Sequence, residues 1–252
     1  MNDNRKRIFG IIGKPLTHSF SPVYFNQKFE AENINAEYLK FELPDIGDLM
    51  EVVAEYPNLS GLNVTIPYKQ QVMPYLDEID DDAKEIGAVN VIKIIRGKGK
   101  DLRFKGYNSD CPAFANSLRP LLTPDSKKAL ILGTGGAAKA VRQGLINLGI
   151  EPVYVSRKAR EGVLTYKDLD EAVMAEHTVI VNCTPVGMYP HEDECPEIPY
   201  NLLTPRHICY DLIYNPDTTL FMKKASANGA VVKNGLEMLL LQAFESWQIW
   251  NS

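Results

Sequence analysis

The chain has no apolar stretch approaching the roughly 18 residues that a membrane-spanning helix needs. It has no CxxC pair and no Cys/His cluster. Its four cysteines, Cys111, Cys183, Cys195 and Cys209, are scattered and suggest neither a zinc site nor a disulfide framework. Reduced thiols in a cytoplasmic protein are the expectation, with no bound metal. The opening MNDNRKRIFGIIG carries charge but only a very short apolar segment, unlike a secretory signal. There is no basic run: 27 Lys and Arg stand against 32 Asp and Glu, a net charge of −5, which argues against nucleic acid as a partner. Repeats and low-complexity segments are missing too.

What is present is ordinary globular material, 45% hydrophobic and 23% charged over 252 residues, enough for one large domain or two of common size. Apolar runs of strand length alternate with amphipathic helical stretches, the signature of an α/β protein. In the first half, strands are expected at Ile8–Ile12, Tyr38–Leu43, Gly61–Thr65 and Val89–Ile95. The last turns back through Gly97-Lys-Gly99 into a hairpin partner ending near Phe104. A helix follows Pro22, Asp45 suits a helix N-cap, and Pro67 suits the first turn of a short helix. A second block begins after about Gly106. Its expected strands are Lys128–Leu132, Glu151–Val155, Val179–Val181 and His207–Asp211. Its expected helices are Ala137–Leu148 and a last one opened by Gly235, with Leu236, Leu239, Leu240, Ala243, Phe244, Trp247 and Trp250 as the apolar stripe. Thr184–Pro205, rich in proline and acids, reads as a long active-site loop.

Gly133-Thr134-Gly135-Gly136-Ala137-Ala138 is a GxGxxA turn between a strand and a helix. Gly133 permits the turn, Gly135 lets backbone approach a pyrophosphate, Ala138 allows close helix–strand packing, and the helix N-terminus supplies amides. An NAD site would place an acid at the end of the next strand. This chain has Ser156-Arg157-Lys158-Ala-Arg160 there, three cations suited to a 2′-phosphate, so NADP(H) is the expected cofactor.

Polar residues collect at strand ends in the first half. Ser19 and Ser21 lie before a helix and offer hydroxyl donors to a carboxylate, although Ser21 also suits an N-cap. His18 suits a structural imidazole. Asn63 and Thr65 share one strand face, with Lys69 just beyond as a candidate proton donor. Asn90 opens a strand, and Asp110 suits either a site or a helix N-cap. Gln242 sits about 130° from the centre of the last helix's apolar stripe, at 100° per residue, as a cleft-facing amide would.

Together these segments resemble the shikimate dehydrogenase family. The motif GxPxxHSxSP runs from Gly13 to Pro22, GxNVTxPxK from Gly61 to Lys69, and GAVN from Gly87 to Asn90. GxGGAxxA runs from Gly133 to Ala140, NxTPxGM from Asn182 to Met188, DxxYxPxxT from Asp211 to Thr219, and GxxMLxxQ from Gly235 to Gln242. The resemblance covers nearly the whole chain in order. It implies two α/β domains with a cleft between them: a substrate-binding domain of residues 1–108 plus 236–252, and a Rossmann-type NADP-binding domain of 109–235. It implies that Ser19 and Ser21 bind a substrate carboxylate. Thr65, Lys69, Asn90, Asp110 and Gln242 would hold ring hydroxyls, Asn63 and Tyr214 would line the pocket, and Lys69 and Asp110 would be the catalytic pair. Gly133, Thr134, Gly135, Gly136, Ala137, Ser156, Arg157, Lys158, Thr184 and Gly235 would hold the cofactor. The implied reaction is NADPH-dependent reduction of 3-dehydroshikimate to shikimate, on the route to chorismate and the aromatic amino acids, by a monomer or homodimer. A quinate/shikimate dehydrogenase of broader use and a non-catalytic NADP or metabolite sensor are the alternatives. The chain departs from the family pattern at Ser109 and Pro112, where GxNTDxxG is usual, and at Ser156-Arg157-Lys158, where NRT is common.

Overall fold

The computed structural model describes residues 5–17, 19–97 and 101–252. His18 and the centre of the Gly97-Lys-Gly99 turn lie outside them. Its elements fall into two compact units. One runs up to Ser109 and takes in Ala243–Ser252; the other is Asp110–Gln242.

The first unit contains β1 (Arg7–Gly13), α1 (Ser21–Ala31), β2 (Ala36–Glu42), α2 (Leu49–Glu55), β3 (Leu59–Val64), α3 (Tyr68–Gln71), β4 (Glu78–Ile79), α4 (Asp81–Ile86), β5 (Val91–Arg96) and β6 (Leu102–Tyr107). Its sheet is mixed, in the order β2-β1-β3-β5-β6-β4. β2 and β3 flank β1 in parallel, whereas β5 pairs antiparallel with β3 and with β6. β6 continues past Phe104 to Tyr107, so the hairpin is longer than its sequence suggests. Val91 is in register with Tyr107, and Gly106 beside it passes close against Leu76 and Val89. Asp45 does cap: its carboxylate accepts from the Gly47 N–H at 2.8 Å and heads a 3-10 turn that leads into α2. Pro67 stands one residue ahead of α3. Asn26 on α1 covers the edge strand, exchanging hydrogen bonds with both the N–H and the C=O of Tyr38.

The second unit contains α5 (Asp110–Leu118), β7 (Lys128–Leu132), α6 (Gly136–Asn147), β8 (Glu151–Ser156), β9 (Val163–Thr165), α7 (Glu171–Glu176), β10 (Val179–Asn182), β11 (Ile208–Asp211), α8 (Leu220–Ala227) and β12 (Val231–Lys233). The pairings among these strands are all parallel. The order β12-β11-β10-β7-β8-β9 is the 3-2-1-4-5-6 order of dinucleotide-binding sheets, read from the other edge. Both sheet faces are covered, as a parallel sheet requires. Ala129 and Ile131 of β7 join one core with Val179, Val181 and Tyr210, while Leu130 and Leu132 join another with Ile180 and Cys209.

The last helix, α9 (Leu236–Asn251), contributes to both units. Met238 packs with Ala113 and Phe114, whereas Ala243 and Trp250 pack with Phe9, Phe25 and Tyr38. The contacts therefore divide the chain within α9 and not ahead of it. The expected stripe is also displaced. Leu236, Leu240 and Phe244 are exposed, at 40%, 39% and 51%, while Met238, Ser246 and Trp250 are buried. Apolar residues surround this helix on most sides, so periodicity alone does not select the face that packs. Gln242, one turn from both Met238 and Ser246, lies on the buried row.

Candidate active site

Within the first unit, β1, β3 and β5 bring the expected substrate residues to neighbouring strand ends. Ser19 is half-buried in the loop after β1. Ser21 is the first residue of α1 and does not cap it: the cap position is Phe20, no side chain caps the helix, and the Ser21 hydroxyl is bonded to the Tyr38 phenol. Thr65 follows β3, its N–H donating to Ile12 O at 2.9 Å. Lys69 lies half-buried on α3, and its carbonyl accepts from the Val89 N–H at 2.7 Å. That bond ties the lysine's backbone to the segment carrying Asn90.

Beneath these residues runs a buried network of neutral polar groups. Asn63 Oδ1 accepts from Tyr38 Oη at 2.7 Å, while Asn63 Nδ2 donates to Ser246 Oγ at 2.9 Å and to Asn90 O at 3.4 Å. Asn90 Oδ1 accepts from the Ser109 N–H at 2.7 Å, and Asn90 Nδ2 donates to Ser109 Oγ at 3.0 Å. Two backbone groups fix the direction of every bond. Asn90 O can only accept, so it orients the Asn63 amide; Ser109 N–H can only donate, so it orients Asn90. Asn63 then keeps one unused lone pair. Burial pushes the Tyr38 phenol well above its usual range, so it stays protonated. Tyr38 and Ser246 were not singled out in the sequence. They lie on β2 and α9, far along the chain from Asn63, and no spacing connects them. Asp110 directly follows Ser109, is buried, and begins α5.

In the second unit, the glycine turn leaves the C-terminal end of β7 beside that of β10, where the strand order reverses and α/β sheets bind ligands. Gly133 has φ +106°, a conformation that other residues rarely adopt, and a side chain there would meet Thr184 Cγ2 at 3.1 Å. A Cβ on Gly135 would meet no protein atom within 4 Å, so the backbone is open to close approach. No side chain caps α6, and its first turn, with Gly136 and Ala137, holds no acid. Its leading amides and dipole thus fit an anion. At the end of β8, Arg157, Lys158 and Arg160 are exposed, and the Lys158 N–H donates to Ser156 Oγ at 3.3 Å. These residues fit a dinucleotide bearing a 2′-phosphate. Tyr214 is half-buried after β11, and burial pushes its phenol up. Gly235 immediately precedes α9 and donates its N–H to Ile213 O at 3.0 Å. Among the described residues no group of three or more His, Cys, Asp or Glu is placed to hold a metal, and no helix is long and apolar enough to cross a membrane.

A mixed sheet with polar strand ends in one unit and a dinucleotide-binding sheet in the other are the parts of a nucleotide-dependent oxidoreductase, and comparison with known proteins narrows the class. Residues 11–92 match the family model for the shikimate dehydrogenase substrate binding domain. The NADP(+) shikimate dehydrogenase of Carboxydothermus hydrogenoformans is 40% identical, over 96% of this chain and 91% of that protein. The shikimate 5-dehydrogenase of Thermus thermophilus, solved with NADP(H) and shikimate, superposes with a TM-score of 0.83 at 29% identity, covering 97% of this chain and 93% of the other. The quinate dehydrogenase of Corynebacterium glutamicum, solved with NAD, gives 0.85 at 26% identity, with 98% and 94% covered. The chain belongs to the shikimate dehydrogenase family.

Proposed function

We propose that this chain catalyses the reversible NADPH-dependent reduction of 3-dehydroshikimate to shikimate. The observation that carries this reading is the whole-length similarity to NADP(+) shikimate dehydrogenases. The proton-handling residues that the family motifs assign, Lys69 and Asp110, are both present. The cofactor's chemistry is hydride donation to the ketone carbon. The Lys69 ammonium donates a proton to the oxygen that becomes the alcohol, and Asp110 orients that hydroxyl. Ser19 and Ser21 bind the carboxylate, and Thr65, Asn90 and Gln242 hold ring hydroxyls. Asn63, with three of its four hydrogen bonds given to protein groups, braces this surface, and Tyr214 lines it. The turn from Gly133 to Ala137 cradles the pyrophosphate; Arg157 and Lys158, on the loop set by Ser156, take the 2′-phosphate. Thr184 and Gly235 contact the rest of the cofactor. The first unit binds substrate, the second binds NADP(H), and the enzyme works as a monomer or homodimer. A cytoplasmic setting is supported by its free cysteines.

The test is a four-way panel, shikimate and quinate each with NADP+ and NAD+, followed at the absorbance of the reduced nicotinamide. Turnover greatest with shikimate and NADP+ is expected. Faster turnover of quinate would make the protein a quinate dehydrogenase. Cofactor binding without turnover would make it a sensor.

A further inference from the structure

The connection between β8 and β9 is short. Parallel neighbours ordinarily need a crossover of about a dozen residues or more, usually with a helix. Only residues 157–162 join these two, which suffices because β9 starts level with Tyr154 and runs beside just the last part of β8. The return is a tight turn: Gly162 has φ +70°, and Val163 donates its N–H to Arg160 O at 3.1 Å. The chain therefore comes back beside the cations it has just left. Ser156 and Thr165 are register partners, so Arg157 and Tyr166, each one residue further, follow neighbouring strands spaced about 4.8 Å apart. Alternation also puts the two on one face. Val155, Leu164 and Tyr166 belong to one core, whereas Tyr154 belongs to the core on the opposite face. Arg157, two residues past Val155, continues the first row.

The Tyr166 ring is half-buried there, and Arg157 is exposed. A capped 3-10 turn fixes where the ring sits: Asp168 Oδ2 accepts from the Thr165 N–H at 2.6 Å and from Thr165 Oγ1 at 2.7 Å. The phenol feels two neighbouring charges. Burial pushes it up, the Arg157 guanidinium pulls it down, and the Glu197 carboxylate pushes it up again. It stays protonated at neutral pH and has one proton to give. Among the described residues nothing hydrogen-bonds its oxygen, which reaches the surface.

We propose that Tyr166 is a specificity-determining residue: its hydroxyl donates to the 2′-phosphate that Arg157 holds. This rests on the NADP-binding reading above and adds to it a neutral donor from the next strand. A 2′-phosphate offers charged acceptor oxygens to the guanidinium and the phenol together. The 2′-hydroxyl of NAD offers a single neutral oxygen. A hydrogen bond to an ionised acceptor is roughly twice as strong as one to a neutral acceptor, so the phenol favours the phosphate. Glu197 is the opposing charge at the phenol; it is exposed, and solvent screens it.

The test is calorimetric titration of the full chain with NADP+, NAD+ and adenosine 2′-monophosphate. Tyr166→Phe keeps the ring in its core and removes only the hydroxyl. It should weaken NADP+ and adenosine 2′-monophosphate about tenfold, the scale of one lost hydrogen bond to a charged group, and leave NAD+ within about twofold. The KM for NADP+ should rise with kcat unchanged, because the phosphate is remote from the hydride and bound alike in ground and transition states. The double variant Arg157→Ala/Tyr166→Phe should lose less than the product of the two single losses, because both side chains hold one phosphate. Undiminished NADP+ binding in Tyr166→Phe, an equal loss for NAD+, or a double variant that loses the full product overturns the proposal. If the unaltered protein prefers NAD+ or binds neither cofactor, the NADP reading fails first and takes this one with it.

Discussion

The two units each bury a polar network beneath their proposed ligand residues, and the networks differ in kind. That of the first unit is neutral throughout: Tyr38, Asn63, Ser246, Ser109 and Asn90, oriented by one backbone carbonyl and one backbone N–H. That of the second includes a carboxylate, Asp211, which accepts from Asn182 Nδ2 and Thr219 Oγ1. Backbone groups cannot titrate, so the first network keeps its direction at any pH where the fold survives. In the second the Thr184 N–H fixes the Asn182 amide in the same way, and what titrates is Asp211 beside it.

The division of labour breaks most sharply at Lys69. Lys69→Ala in the first unit should lower kcat by roughly a hundredfold or more, the scale of a lost general acid, while NADP+ binding is retained. Steady-state rates with both substrates varied will show it; a change confined to shikimate KM would make Lys69 a binding residue only. In the second unit, Arg157→Ala should weaken NADP+ by about 1.5–3 kcal/mol, the range for charged hydrogen bonds, with NAD+ and shikimate scarcely affected. Titration with both cofactors decides this, and equal losses would remove the 2′-phosphate from the role of Arg157.

The anchors themselves are separable by stability against pH. Asp211 has a folded pKa of about 6, above the 3.8 of an ordinary aspartate. A raised acid favours folding when protonated, so its contribution is full below about pH 4 and is lost as pH rises through 6. Asp211→Asn does not titrate. Its stability relative to the unaltered protein should therefore rise over that window by up to about 3 kcal/mol, at 1.36 kcal/mol per unit. Tyr38→Phe leaves Asn63 Oδ1 without its donor and should cost about 1–3 kcal/mol, with no dependence on pH from 5 to 8. Urea unfolding from pH 4 to 8 will distinguish a difference that slopes below pH 6 from a flat one. Folding thus prefers the protonated carboxyl. The smallest change is Ser246→Ala. It deletes one neutral hydrogen bond and should cost about 1 kcal/mol, because Asn63 Nδ2 retains Asn90 O.

Signals confined to one element were legible in the sequence. β7 appears within its expected bounds because four consecutive apolar core residues, Ala129–Leu132, are followed by a glycine turn, and α6 begins one residue early on Gly136. The short peripheral elements β9, α7, α8 and β12 were not foreseen. Their strands span three residues, and their helices carry mixed faces. Two left a local trace all the same: Asp170 caps α7 through the Val173 N–H, and Thr219 caps α8 through the Met222 N–H. The site residues divide in the same way. Ser19, Lys69, Asn90 and the glycine turn sit in short dense motifs. Tyr38 and Ser246 join the site only through pairings between β2, β3 and α9, which no local pattern encodes. Asn182 and Asp211 fall inside quoted motifs, yet their partnership exists only because β10 and β11 lie in register.

The closing turns of α9 also order events in time. Trp250 lies so close to Gly61 that any side chain there would meet its ring at 2.4 Å; it stacks on Phe9 at 4.8 Å and donates its indole N–H to Ile92 O. All three neighbours leave the ribosome well before it does. The unit translated first therefore lacks its largest aromatic plug until the whole of Asp110–Gln242 has followed, an interval on the order of ten seconds at ordinary elongation rates. During that interval the nascent first sheet shows an open aromatic groove to its surroundings, and the second unit has all its parts only at the interval's end. The segment made earliest is the one finished last.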